Sequence, residues 1–378
     1  MNSGDYHKYI WQSEDWPHWI FNLPALSPLL SQVHMARGRL LGAIQTLGFQ
    51  SAEETGLRML TSETVNSSEI EGEHLDTSAV RSSIARRLGL NVGGLVPSSR
   101  QVDGVVEMMV DATRNHAQPL NSERLFGWHA ALFSTGYSGM HPITIARYRD
   151  DHNGPMQVIS GSISHEKVHY EAPPAANLQS EMDIFLTWFN QEQPIDPVIK
   201  AGLAHLWFVT LHPFEDGNGR IARAIGDMAL ARADASAQRF YSLSTQIQRE
   251  RQAYYTQLEQ TQKGTLDITS WLEWFLGALL RAVQNAHHEL QGVLYLSRIH
   301  QRAPNGRLNM RQMKMLDMLM HRFEGKLTTG KWAKLAGCST DTALRDIKEL
   351  IEMGVLLQTG ESKRAAQYAL IREHANTG

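Results

Sequence analysis

The chain has 378 residues, enough for two or three domains and a sizeable core, with 36 Lys and Arg against 39 Asp and Glu. So even a balance excludes an overall field that would draw the whole molecule to nucleic acid or to a membrane surface. The single cysteine, Cys338, excludes an internal disulfide and fits a reducing compartment, and no run of about 18 apolar residues argues for a membrane span, so a cytoplasmic location is expected.

MNSGDYHKYIWQSEDW lacks the apolar stretch of a secretory signal. Apolar residues then recur every three or four positions over 25–47, 101–115, 122–133, 178–190, 197–211 and 268–285, which predicts helices and a mainly α fold. VGGLVPSSR (92–100) is a loop. The helical pattern breaks over 141–174, where short alternating runs, Asn-Gly-Pro and a closing Pro-Pro predict a β-hairpin. HEKVH (165–169) within it has the letters of a zinc-protease motif, but that motif needs a helix, and the flanks SGSIS and YEAPP argue for a hairpin instead.

HLWFVTL (205–211) runs into HPFEDGNGR (212–220), and IARAIGDMALARA (221–233) leaves it. Gly217 and Gly219 permit positive φ and close backbone approach, so the amides of 217–220 can converge on an anion at the start of a helix. Asn218 lies between them. Arg220 and Arg223, three apart, share a face of that helix's first turn and can fork onto phosphate oxygens. Arginines there oppose the helix dipole, which implies that an anion is expected. Beside a polyphosphate, Asp216 offers magnesium a hard oxygen. His212 can take a proton near neutral pH. Phe214 is expected to point inward and fix the loop.

After RAPNGR (302–307), a linker, 13 Lys and Arg face 8 Asp and Glu over 301–378. GKLTTGKW (325–332) resembles a phosphate loop, but Trp332 stands where a hydroxyl is needed. Helix 308–323, WAKLAGCS (332–339) and TDTALRDIKELIEMG (340–354) predict helix-turn-helix, with Gly337 in the turn and Ser339 as N-cap, and LLQTGESKRAAQYAL predicts a wing. Leu344, Ile347 and Ile351 are expected inward and Thr342, Arg345 and Lys348 outward, leaving DNA or a protein as this domain's partner.

HPFEDGNGRIAR matches the full Fic motif, H-x-F-x-[DE]-G-N-G-R-x-x-R, and by it the chain resembles Fic protein adenylyltransferases. The resemblance implies transfer of AMP from Mg²⁺-ATP to a Ser, Thr or Tyr hydroxyl of a target protein. His212 would be the base, Asp216 the Mg²⁺ ligand, and Gly217, Asn218, Gly219 and Arg220 the phosphate cradle, with Arg223 on the γ-phosphate. The hairpin resembles the target-docking flap, with Val168, His169 and Tyr170 on its second strand, and Tyr254 and Tyr255 resemble residues lining the adenosine pocket. SSEIEG (67–72) resembles the inhibitory motif [ST]-x-x-x-E-[GN], whose members here are Ser67, Glu71 and Gly72; Glu71 would pair with Arg223 and displace the γ-phosphate. KYIWQSEDWPHWIF (8–21) resembles an N-terminal module of bacterial Fic proteins, its three tryptophans read as packing. The expected organisation is an N-terminal helical module with the inhibitory helix (1–95), a Fic-type helical core with a β-hairpin flap (96–300), and a C-terminal winged helix (301–378). A de-adenylylating phosphodiesterase using the same loop and a DNA-binding regulator are the alternatives, and assembly into a homodimer is left open.

Overall fold

The computed structural model describes residues 8–45, 49–91, 93–152, 154–160, 167–302, 308–321, 323, 325–359 and 366–371. It is mainly helical: α1 Leu23–Gln45, α2 Phe49–Ile70, α3 Thr77–Leu88, α4 Arg100–Arg114, α5 Ser122–Leu132, α6 Leu178–Asn190, α7 Pro197–Leu211, α8 Asn218–Asp234, α9 Leu243–Arg249, α10 Arg251–Gln262 and α11 Thr269–Arg302. Three further helices follow, α12 Met310–His321, α13 Thr329–Ala336 and α14 Thr340–Glu352. Antiparallel pairs join β1 Tyr137–Ser138 to β2 His141–Pro142 and β3 Gln157–Ser160 to β4 Lys167–Glu171. A three-stranded antiparallel sheet has the order β5 (Leu327–Thr328), β7 (Gln367–Leu370), β6 (Leu356–Gln358). The chain divides into two compact units, 1–286 and 287–378.

In the first unit α7 is the central helix. Asp196 caps it by accepting from Val198 N, Pro197 occupies its first turn, and Val198, Ile199 and every residue from Ala201 to Leu211 are buried. A helix apolar on all sides has no solvent face to offer and is surrounded by others. α8 returns antiparallel against it, itself buried almost throughout, and the short loop between them carries the Fic motif. α4 and α5 cross so closely that a Cβ on Gly104 would overlap the carbonyl oxygen of Ala131. α2 is tied in from its middle. The carboxylate of Glu63, 2% exposed, accepts from Ser242 Oγ at 2.7 Å and Ser244 N at 3.0 Å at the start of α9. The N-terminal tryptophans pack, as expected: Trp16 and Trp19 meet Trp207 edge-on, and Trp11 donates its indole N–H to Glu171 O.

In the second unit α12 to α14 and the sheet enclose Met315, Leu316, Trp332, Ile347 and Leu350. Ser339 caps α14 by accepting from Thr342 N, and Gly337 ends α13 at φ 68°. The face of α14 differs from the expectation. Leu344 is 37% exposed, while Ala343 and Asp346 are buried with Ile347 and Leu350. Asp346 can turn inward because Arg311 and Asn309 meet its carboxylate at 2.8 to 3.0 Å. The outer face then carries Asp341, Glu349 and Glu352 beside Arg345 and Lys348. The linker 303–307 and the wing tip 360–365 lie outside the described residues, as do His165 and Glu166 of HEKVH.

Candidate active site

The loop 212–217 is held from several sides. His212 caps the C-terminus of α7 at φ 49°, ψ 55°, a left-handed conformation costly for a residue with a Cβ and typical of over-determined functional positions. Its Nδ1 lies 3.1 Å from Val209 O. A carbonyl only accepts, so Nδ1 carries the proton and Nε2 keeps its lone pair as a base. Burial lowers the imidazole's pKa below its ordinary value, which keeps that lone pair free at neutral pH. Arg149 fixes the backbone: its Nε donates to His212 O at 2.8 Å and its Nη2 to Pro173 O at 2.6 Å, with Asp151 pairing the third nitrogen at 2.9 Å.

Phe214 is fully buried and stacks on His129, centroids 4.3 Å apart. Burial holds His129 down at about 4, so it packs as a neutral ring. Asn218, 2% exposed, uses both ends of its amide on one residue, accepting from Phe214 N at 2.9 Å and donating to Phe214 O at 2.7 Å. Its amide therefore closes the loop. Gly217 adopts φ 80° and caps α8 without a side-chain acceptor, leaving the first N–H groups of that helix pointing into the site. Asp216 accepts from Gly217 N through Oδ1 and from the Ser138 hydroxyl through Oδ2.

Both motif arginines are buried. Arg223 pairs with Glu71 Oε1 at 2.8 Å and donates to Ser67 Oγ at 2.9 Å and Ser67 O at 2.7 Å. Burial opposes its charge, but the Glu71 carboxylate outweighs that and holds its pKa above the ordinary value. Glu71 lies just past the end of α2, where Gly72 turns the chain at φ 84°. The carboxylate presses on the Gly219 backbone so closely that a Cβ there would overlap Oε1. Arg220 lies over the Phe133 ring at 5.1 Å and pairs with Glu73 Oε2 at 2.6 Å.

The tyrosines are adjacent to this cluster. Tyr254 is 1% exposed, and its hydroxyl meets His205 Nε2 at 2.9 Å. Burial and the nearby Arg223 push His205 down to about 3, so Tyr254 is the donor to a neutral ring behind Arg223. Tyr255 donates to Ile70 O at 3.1 Å and reaches Glu71 Oε2 at 3.4 Å. In the hairpin, Tyr170 faces inward and donates to Thr210 O at 2.8 Å, Val168 is half-buried, and His169 Nδ1 meets Glu259 at 2.7 Å. Arg149, His129, Ser138 and Glu73 were not singled out by the sequence; each stands far along the chain from the loop it supports.

With that geometry in place, comparison with known proteins defines the class. Residues 119–230 match the Fic/DOC family, and residues 9–90 match a domain of unknown function, DUF4172. The segment 119–230 is a Fic/DOC domain, with His212, Asp216, Arg220 and Arg223 in its motif. The chain is 33% identical over 129 residues to Protein adenylyltransferase Fic of Nematostella vectensis, covering 33% of this chain and 26% of that one. It is 43% identical over 63 residues to Protein adenylyltransferase Fic of Drosophila mojavensis, covering 16% and 12%. The chain thus spans about a quarter or less of these two curated relatives. A crystal structure of a Fic family protein from Desulfovibrio desulfuricans G20 shares the fold, with a TM-score of 0.52 at 21% identity over 92% of this chain and 96% of that one.

Among the described residues no group of three or more His, Cys, Asp and Glu side chains gathers as a metal cage. Magnesium does not need one: it ordinarily keeps waters and takes one or two carboxylates together with substrate phosphates. Asp216 at the mouth of the α8 amides fits that demand.

Proposed function

We propose that this chain is a protein adenylyltransferase that moves AMP from Mg²⁺-ATP to a Ser, Thr or Tyr hydroxyl of a target protein, with Glu71 holding the site closed. The observation that carries it is the meeting of a free imidazole Nε2, an uncapped helix N-terminus and two buried arginines at one loop. Triphosphate would lie along the N–H groups of 217–220 and take Arg220 and Arg223 as counter-charges. Magnesium, held by Asp216, would neutralise phosphate charge. His212 Nε2 removes the proton of the incoming hydroxyl, which attacks the α-phosphorus, and pyrophosphate leaves. Preformed positioning and charge neutralisation supply most of the acceleration. The flap β3–β4 would set the target segment by strand pairing. Relatives named protein adenylyltransferase Fic support this reading.

Labelled ATP tests it. Glu71→Gly protein should transfer label to itself or to a lysate protein, and the Glu71→Gly/His212→Ala protein should not; equal labelling by both would remove His212 as the base. A winged-helix role for the second unit is part of the same proposal, and the acids on the outer face of α14 favour a protein partner over DNA.

A further inference from the structure

Glu71 is followed by a second acid two residues on, and the two do not behave alike in sequence terms. Only Glu71 belongs to the inhibitory motif. In space they are a pair. α2 ends at Ile70, and the chain then wraps back over its own last turn, with Glu71 N and Glu73 N both donating to Ser68 O at 3.0 Å. Gly72 makes the wrap at φ 84°, a conformation that residues with a Cβ rarely adopt. The turn sends the carboxylates on either side of Gly72 to the first two turns of α8, where Arg220 and Arg223 share a face. Glu71 takes Arg223 at 2.8 Å and Glu73 takes Arg220 at 2.6 Å.

We infer that Glu73 is a second inhibitory latch, a carboxylate that occupies Arg220 as Glu71 occupies Arg223. Arg220 is 2% exposed and backed by Phe133, so its guanidinium has little freedom to serve a carboxylate and a phosphate together. Among the described residues its Nε has no hydrogen-bond partner, so the site around it is left with donor capacity that an anion bringing several oxygens would fill better than one carboxylate does. Glu73 is itself about a third exposed, so it can withdraw into water when phosphate arrives. A phosphate chain must therefore displace two acids, and removing Glu71 alone leaves half of the block in place.

The inference rests on the reading that the α8 N-terminus takes nucleotide phosphates, and the test keeps the two apart. Binding of Mg²⁺-ATP and of inorganic tripolyphosphate is measured by calorimetry for Glu71→Gly and Glu71→Gly/Glu73→Gln proteins, alongside AMP transfer. Gln keeps the shape of Glu73 and removes its charge, and thermal melting confirms that each variant is folded. Both phosphate ligands should bind about tenfold more tightly to the double variant, the exchange of one charge-assisted hydrogen bond. Unchanged or weaker binding in the double variant would overturn the latch and make Glu73 a residue that positions Arg220. Tighter tripolyphosphate binding without any AMP transfer would leave the latch standing and remove the adenylyl-transfer reading. Transfer by the Glu71→Gly protein, with binding indifferent to Glu73, would do the reverse.

Discussion

Glu71 Oε1 and Arg223 Nη1 lie 2.8 Å apart across the meeting of α2 and α8, on an arginine that is 3% exposed. A guanidinium so deeply buried needs an anion, and breaking such a pair from one side leaves an uncompensated charge. On the proposed function the same pair is a structural bond when nucleotide is absent and would be an obstacle to nucleotide phosphates.

Replacing Glu71 by Gly should raise self-labelling with AMP by tenfold or more, on the order of one strong charged interaction. The same variant should melt several degrees lower than wild type without nucleotide, because Arg223 loses its partner, and recover more than wild type on adding Mg²⁺-ATP. Scanning calorimetry with and without nucleotide reads both effects. A melting temperature indifferent to the substitution would contradict the pairing.

The pH profile of the released enzyme follows from His212. Burial lowers its folded pKa beneath the ordinary 6.5, and in the proposed role of base it would work only when neutral. Transfer by Glu71→Gly protein should rise with pH and level off on the acid side of 6.5. An acid limb centred at that value would mean that the imidazole is solvated, and one above it that a neighbouring carboxylate outweighs burial.

Asp227 gives a stability signature. Its carboxyl is buried against Arg239 at 3.1 Å, and burial first, then the neighbouring Glu63, holds its pKa well above the ordinary 3.8. A raised folded pKa contributes stability that is complete below the unfolded value and is lost as pH rises towards the folded one. Wild type should therefore lose stability relative to Asp227→Asn over that window, by up to about 1.4 kcal/mol per pH unit, the slope of one proton. Urea denaturation across pH measures the difference, and parallel curves would refute the raised pKa of Asp227.

Gly104→Ala should destabilise the first unit by about 3 kcal/mol, because the new methyl meets the Ala131 carbonyl and neither backbone can yield cheaply. Chemical denaturation of the variant tests it, and a loss within experimental error would mean that α4 and α5 part easily.

What the sequence showed and what it hid divide by distance along the chain. His212, Asp216, Gly217, Arg220 and Arg223 stand within one loop and turn, where spacing alone states which side chains share a face. Glu71 was legible through its motif. Arg149, His129, Ser138 and Glu73 reach the loop from 63 to 147 residues away; nothing in the neighbourhoods of the first three marks them, and Glu73 lies just outside the motif that marked Glu71. Tyr254 and Tyr255 were expected at an adenosine pocket. The structure puts the first behind Arg223 and the second on Glu71, contacts that depend on how α10 packs. The inward face of α14 was misjudged at Leu344 because a buried aspartate does not look apolar, and its partners Arg311 and Asn309 lie at the start of α12, two helices earlier.

Glu63 and Ser67 anchor α2 so firmly that only the three residues after Ile70 are in a position to let go. On the proposed function, release would be a local movement of this short tail and would require no domain to part from another. Genetically the arrangement is hedged: every Glu codon is a single base from Gly or Lys, but one such change at position 71 would remove only one of the two carboxylates and leave Glu73 on Arg220.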